Sequence, residues 1–168
     1  MTQTENFQTS LVQINLVQNS FKENDLPLTV ISNSPEETLS LGENLARFLK
    51  KGSILAIEGP IGAGKTCLVK GIASGLGIEG NITSPSYTII SEYDASIDGE
   101  DIRFFHIDAY RLRNSIDFSD IGGEEIIFGD GISVIEWSER IPGFILDGSL
   151  RVEIKICNND ERKIRVYR

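Results

Sequence analysis

Residues 54–77 read ILAIEGPIGAGKTCLVKGIASGLG: an apolar run, three glycines within six residues, then a lysine and a threonine. The flanks decide how this stretch is read. Ser53–Glu58 is a short, almost continuous apolar segment, as expected of a strand covered on both faces in a parallel sheet. Gly59–Thr66 has the spacing G-x-x-x-x-G-K-[ST] of a phosphate loop. Beyond it, Leu68, Ile72 and Leu76 share one helical face, and Gly75 and Gly77 are natural stops. A strand, a glycine loop and a helix in that order make a phosphate cradle. Gly59, Gly62 and Gly64 let the backbone turn its N–H groups inward. The helix start adds unpaired donors and a partial positive charge. Lys65 contributes a point charge for the outer phosphates, and the Thr66 hydroxyl suits a magnesium ion.

The whole chain bounds the setting. Its 168 residues suit one domain, and 25 acidic residues against 16 basic ones give a formal charge of −9. Such a chain repels nucleic acid on average, so holding RNA or DNA unaided is not expected. The two cysteines, Cys67 and Cys157, make no disulfide framework and fit a reducing cytoplasm. His106 is the only histidine, so Cys/His metal spacing is absent. The N-terminus lacks a signal-peptide pattern, and no apolar run reaches membrane-spanning length. Residues 1–26, rich in Gln, Asn, Thr and Ser, read as a flexible extension, within which SLVQINLVQ could add an edge strand. Residues 27–168 form the expected domain.

Within that domain LTVISN reads as a strand. SPEETLSLGENLARFLKKG then carries a helix signature, with Ser34 as N-cap, Pro35 in the first turn and Glu37 closing a capping box. Leu41, Leu45, Phe48 and Leu49 form its buried stripe, and Gly52 ends it. YTIISEY, IRFFHID and ISVIEW are strand-like. LRVEIKI and KIRVY alternate around CNNDER as a terminal hairpin. The predicted fold class is α/β, a three-layer nucleotide-hydrolase type with a central, mostly parallel sheet and a C-terminal antiparallel hairpin.

A phosphate loop needs carboxylates at neighbouring strand ends to hold magnesium and orient the attacking group. IRFFHID ends on Asp108 and ISVIE on Glu136. TSPSYTII, with Ser86 and Thr88, is either a γ-phosphate sensor or an ordinary turn. Trp137 belongs either to the core or to the site. His106, on the opposite strand face from Ile107, reads as structural. Cys67 reads as packed in the first turn of the loop helix. The basic cluster Arg151, Lys155, Arg162, Lys163, Arg165 and Arg168 is either a solvated face or a docking surface.

GPIGAGKT, SPSYTII, HIDAYRL and VIEWSERI occur in the order seen in the TsaE family, the bacterial P-loop ATPases of tRNA threonylcarbamoyladenosine synthesis. The resemblance runs from about Thr29 to the terminal hairpin. HIDAYRL together with EW is far more specific than the loop alone. It implies a magnesium-dependent ATPase acting with TsaB and TsaD, with the partners rather than this chain gripping tRNA. Carried over residue by residue, nucleotide contacts fall on Pro35, Gly59, Ile61, Gly62, Ala63, Gly64, Lys65 and Thr66. Magnesium ligands fall on Thr66 and Glu136. Lys65 and Asp108 carry the chemistry, Asp108 by orienting water or bridging the metal. Adenine is expected around Ser34–Thr38. Ser86 stands where the family commonly has threonine, and the N-terminal extension lies outside its pattern. A small-molecule or nucleoside kinase and a nucleotide switch without useful turnover are the rival readings.

Overall fold

The computed structural model describes residues 21–168. The SLVQINLVQ segment and the flexible reading of residues 1–20 lie outside the described residues. Among the described residues seven strands form one sheet: β1 (Leu28–Ser32), β2 (Ile54–Glu58), β3 (Ile90–Ile97), β4 (Glu100–Asp108), β5 (Ile132–Glu136), β6 (Leu150–Ile156) and β7 (Arg162–Tyr167). Their spatial order is β1-β7-β6-β2-β5-β4-β3. The central block β6-β2-β5-β4 is parallel, whereas β3 is antiparallel to β4, and β7 is antiparallel to both β6 and β1. The parallel character thus belongs to the middle of the sheet, and hairpins extend both sides. The β6–β7 hairpin is the one expected at the C-terminus. The β3–β4 hairpin turns at Asp98–Gly99, both at positive φ (53° and 83°), the backbone of a tight two-residue turn.

Helices cover both faces, as the continuous apolar strands require. α1 (Pro35–Ala46) and α2 (Lys65–Gly75) lie on one side; α3 (Ser115–Asp120) and α4 (Gly123–Ile127) lie on the other. Leu55, Ile57, Phe104 and Val134 pack with Leu41, Leu45, Leu68 and Ile72. Their neighbours Ile54, Ile107 and Ile135 pack with Phe118, Ile127 and Phe144 on the reverse face. The period-2 alternation of the strands divides one apolar sequence between two cores.

Several boundaries differ from the sequence reading. α1 ends at Ala46 rather than near Gly52, because Arg47 and Phe48 turn and Leu49 leaves the helix to pack in the core. Gly52 sits at φ +78° and donates its N–H to the carbonyls of Asp130 and Gly131, steering the chain into β2. Ser34 caps α1 by accepting from the Glu37 N–H at 3.2 Å. The Glu37 carboxylate, however, accepts from the Asn33 N–H at 2.7 Å, one residue before the position a capping box requires. Residues 21–26, expected in the flexible extension, are attached: Phe21 is buried edge-on against Phe48 at 5.2 Å, and Glu23 pairs with Arg168 at 2.6 Å. The basic cluster is dispersed: Arg168 serves that pair, Lys155 pairs with Glu153 at 2.7 Å, and Arg165 lies over Tyr167.

The position of the loop helix depends on how closely α1 and α2 approach. A Cβ on Gly42 would stand 2.8 Å from the Ile72 amide nitrogen, and one on Gly75 would stand 2.6 Å from the Ala46 Cβ. Gly71 faces the Leu39 carbonyl even more closely. The backbones meet along this glycine seam. Gly42→Ala is therefore expected to destabilise the protein by about 2 kcal/mol or more through overpacking. That loss corresponds to a melting temperature lower by roughly 4–8 °C, read in a thermal scan. Lys70→Ala, on the exposed side of α2, is the control and should stay within about 0.5 kcal/mol of the parent.

Candidate functional site

The parallel registers bring three strand ends together. Ile57 stands opposite Glu136, and Glu136 opposite Asp108, so β2, β5 and β4 finish side by side. The loop leaving β2 crosses this edge, where α/β sheets bind ligands. A cavity of about 440 Å³ opens there, lined by Ile61, Gly62, Ala63, Gly64, Lys65, Thr66, Asp108, Glu136 and Trp137, with Ser84 and Ser86 at its side. A larger groove of about 700 Å³ lies at the other end of β5, but its cations are already paired: Arg103 with Glu92 and Asp94, and Lys51 with Asp130.

The loop has the backbone that its sequence requires. Gly62 and Gly64 adopt φ of +76° and +99°. A Cβ at Gly59 would lie 2.7 Å from the Ile154 carbonyl oxygen, so only glycine fits against β6. α2 begins directly at Lys65 behind Gly64, and no side chain caps it, leaving its first N–H groups turned toward the loop. Lys65 is 5% exposed. Its Nζ donates to the carbonyls of Gly59 at 2.6 Å and Pro60 at 2.9 Å, and lies 3.7 Å from the centre of the Trp137 ring. Burial pushes the Lys65 pKa down, while Glu136, Glu139 and Asp108 pull it back up. Trp137 reaches this position with φ +60°, an unusual conformation for a bulky residue, and stacks on Tyr110 at 4.9 Å. It lines the cavity with one side and packs against the second core with the rest.

The two carboxylates have different surroundings. Glu136 is 3% exposed and accepts from the Thr66 hydroxyl at 2.9 and 3.1 Å. His106 Nε2 lies 2.8 Å from Glu136 Oε1. Asp108 holds the segment before β3. Its Oδ2 accepts from Ser84 at 2.6 Å and Ser86 at 3.1 Å, and its Oδ1 accepts from the Tyr110 N–H at 3.0 Å. The two hydroxyls are 2.7 Å apart. The segment continues as a turn, with Ile89 at φ +67°, so β3 begins at Ile90 rather than at Tyr87. A β-branched residue there is strained. The Ile89 N–H donates to Pro85, and its carbonyl accepts from the Asp108 N–H at 2.8 Å. The segment is thus a latch closed on Asp108.

Ser84, absent from the expected site, makes the shortest contact in that latch. Thr88 is exposed and does not line the cavity. Pro35 stands apart from the main cavity. It accepts from the Cys67 thiol at 3.2 Å and borders a smaller cavity of about 200 Å³ with Ser34, Thr38 and Gly62–Gly64. Arg162 joins that cavity from the terminal hairpin and donates to the Gly62 carbonyl at 3.3 Å. Cys67 borders both cavities, with its thiol pKa raised by burial.

This latch gives a direct expectation. Removing both hydroxyls with Ser84→Ala/Ser86→Ala should free residues 84–89 while leaving the sheet intact. Amide exchange in that segment should rise at least tenfold, with β4 and β5 unchanged, as read by hydrogen–deuterium exchange.

Comparisons with known proteins show the family and the fold. Residues 32–164 match the family model described as "Threonylcarbamoyl adenosine biosynthesis protein TsaE". The tRNA threonylcarbamoyladenosine biosynthesis protein TsaE of Treponema pallidum is 37% identical over 81% of this chain and 97% of its own length. The protein of the same name from Bacillus subtilis is 37% identical over 78% of this chain and 79% of its own. The crystal structure of Bacillus subtilis YdiB superposes with a TM-score of 0.67 at 34% identity, covering 83% of this chain and 84% of that one. With its phosphate loop, paired strand-end carboxylates and matching sheet, the chain belongs to the TsaE family of threonylcarbamoyladenosine biosynthesis proteins.

Proposed function

We propose that this protein is a magnesium-dependent ATP hydrolase serving threonylcarbamoyladenosine modification of tRNA in the cytoplasm, where it resets or drives the TsaB–TsaD pair. The observation that carries the reading is the meeting of a glycine loop, a buried lysine and two unlike carboxylates at one sheet edge. Family membership supplies the modification pathway. The charge of −9 supports leaving the grip on tRNA to partners.

The residues present fit both ATP and magnesium. The loop offers inward N–H groups, and Lys65 is held by two carbonyls and a ring face, all weaker partners for an ammonium than a phosphate. The cavity bordered by Ser34, Pro35 and Thr38 supports the expected place of the base. Thr66 and Glu136 would hold the metal, since an ionised carboxylate and a hydroxyl are hard oxygen donors already in contact. When bound, magnesium supplies charge neutralisation on the phosphates. Lys65 then binds the outer phosphates and stabilises charge that grows during transfer. Asp108 orients the attacking water, or bridges to the metal, once Ser84 and Ser86 release it. In the latched arrangement both of its oxygens are committed. The lone chain should therefore turn over slowly until a partner opens the segment.

The latch also favours the second reading, a nucleotide switch without useful turnover. The kinase reading is weaker. Of the two arginines after Asp108, Arg113 forms a two-pronged pair with Asp117, and Arg111 lies over Tyr87 at 4.6 Å.

Lys65→Ala should lower ATP hydrolysis at least a hundredfold, about 3 kcal/mol of transition-state stabilisation. Normal hydrolysis by that variant, measured by phosphate release, would remove the phosphate-loop assignment. Glu136→Gln should weaken magnesium-dependent nucleotide binding, whereas Asp108→Asn should bind nearly normally and hydrolyse slowly; magnesium titrations separate them. Purified TsaB–TsaD should stimulate the parent clearly, and Ser86→Ala should blunt that stimulation more than nucleotide binding. Multi-turnover tRNA modification should fail with Lys65→Ala. Fast hydrolysis by the lone chain, indifferent to partners, would reject the reset role. Phosphate transferred to a small acceptor would favour the kinase.

A further inference from the structure

His106 is fully buried on β4, on the same strand face as Phe104. Among the described residues its Nδ1 has no hydrogen-bond partner. An unpaired buried ring nitrogen costs stability, and an apolar side chain would fill the position without that cost. The other ring nitrogen gives the compensating contact, at 2.8 Å from Glu136 Oε1. Glu136 already accepts from Thr66, so its carboxylate acts as an acceptor and His106 Nε2 carries the proton.

The contacts on the carboxylate are unequal. Oε1 receives both His106 and the 2.9 Å bond from Thr66; Oε2 receives only the 3.1 Å bond from Thr66. Asp108, the strand-end carboxylate beside it, receives no histidine and instead holds Ser84 and Ser86. A glutamate side chain has three torsions to fix, and its two partners come from different elements, Thr66 from α2 and His106 from β4. We infer that His106 is a positioning residue for Glu136: its Nε2–H occupies Oε1 and fixes the carboxylate rotamer, leaving Oε2 as the oxygen committed to a divalent cation. This rests on the magnesium–ATP reading and deepens it. His106 touches neither phosphate nor metal in this role. It prepares the ligand, as partners behind metal-binding side chains do elsewhere.

The test uses the full chain with His106→Phe and His106→Gln. Phenylalanine keeps the ring and loses the donor. Glutamine places an amide N–H near the same oxygen. Trp137, the only tryptophan, lies over Lys65 and gives a fluorescence signal for nucleotide binding. Each variant is titrated with ADP in EDTA, with ADP at increasing Mg²⁺, and with Mn²⁺ alone by electron paramagnetic resonance. His106→Phe should raise the half-saturating Mg²⁺ and Mn²⁺ concentrations tenfold or more, with metal-free ADP affinity unchanged. His106→Gln should recover most of the loss. If His106→Phe does not fold, His106→Asn, whose amide stops short of Oε1, replaces it in the comparison with glutamine. Unchanged metal affinity in the donor-less variant would overturn the inference. So would equal losses with and without metal, or a glutamine variant no better than phenylalanine. A parent whose nucleotide binding ignores Mg²⁺ would overturn the magnesium reading and this inference with it. A magnesium-dependent parent with an indifferent His106→Phe would overturn this inference alone.

Discussion

The buried carboxylate of Glu136 is the constraint around which the site is arranged. It closes β5, receives Thr66 from α2 and His106 from β4, and is 3% exposed. A charge in that position is tolerated only while its partners stay in place. The same contacts therefore fix the helix behind the phosphate loop against the strand that carries Asp108. Charge elsewhere in the site is balanced in the same internal way. Lys65 is satisfied by loop carbonyls and the Trp137 face, and Asp108 by two serines. The groups with the most chemistry are all engaged by other parts of the protein.

The sheet centre and the main site groups were legible in the sequence because they obey local rules. The loop spacing, its strand and helix flanks, and apolar runs ending on Asp108 and Glu136 are all readable within a few residues. The β6–β7 hairpin followed from alternation alone. Contacts made across the fold were not legible. Ser84 has no local signature that distinguishes it from Ser86, and its importance comes from lying 2.6 Å from a side chain 24 positions later. His106 reads as an interior residue until the β4–β5 pairing places it beside Glu136. Helices α3 and α4 are only six and five residues long, too short for a periodic signal, and were not anticipated. The early end of α1 reflects tertiary packing: Leu49 leaves the helical path for the core, overriding an intact apolar stripe.

The glycine seam between α1 and α2 links these levels. It draws α1 close enough for Ser34, Pro35 and Thr38 to border the loop, and for the Cys67 thiol to reach the Pro35 carbonyl. Placement of the base-side cavity is therefore a consequence of residue size at positions 42, 71 and 75. The terminal hairpin reaches the same cavity from the other side through Arg162.

The strand order carries a consequence for biosynthesis. Among the described residues β1 pairs only with β7, the latest of the seven strands in chain order. As the polypeptide leaves the ribosome, the first strand of the domain emerges early and has no ladder to join. Its described ladder partner is residues 162–166, so this edge of the sheet closes only once that stretch is available. Before then the loop helix can form, but the hairpin carrying Arg162 cannot yet flank the phosphate loop. A chain cut before β7 thus lacks both the partner of β1 and the Arg162 wall of the smaller cavity.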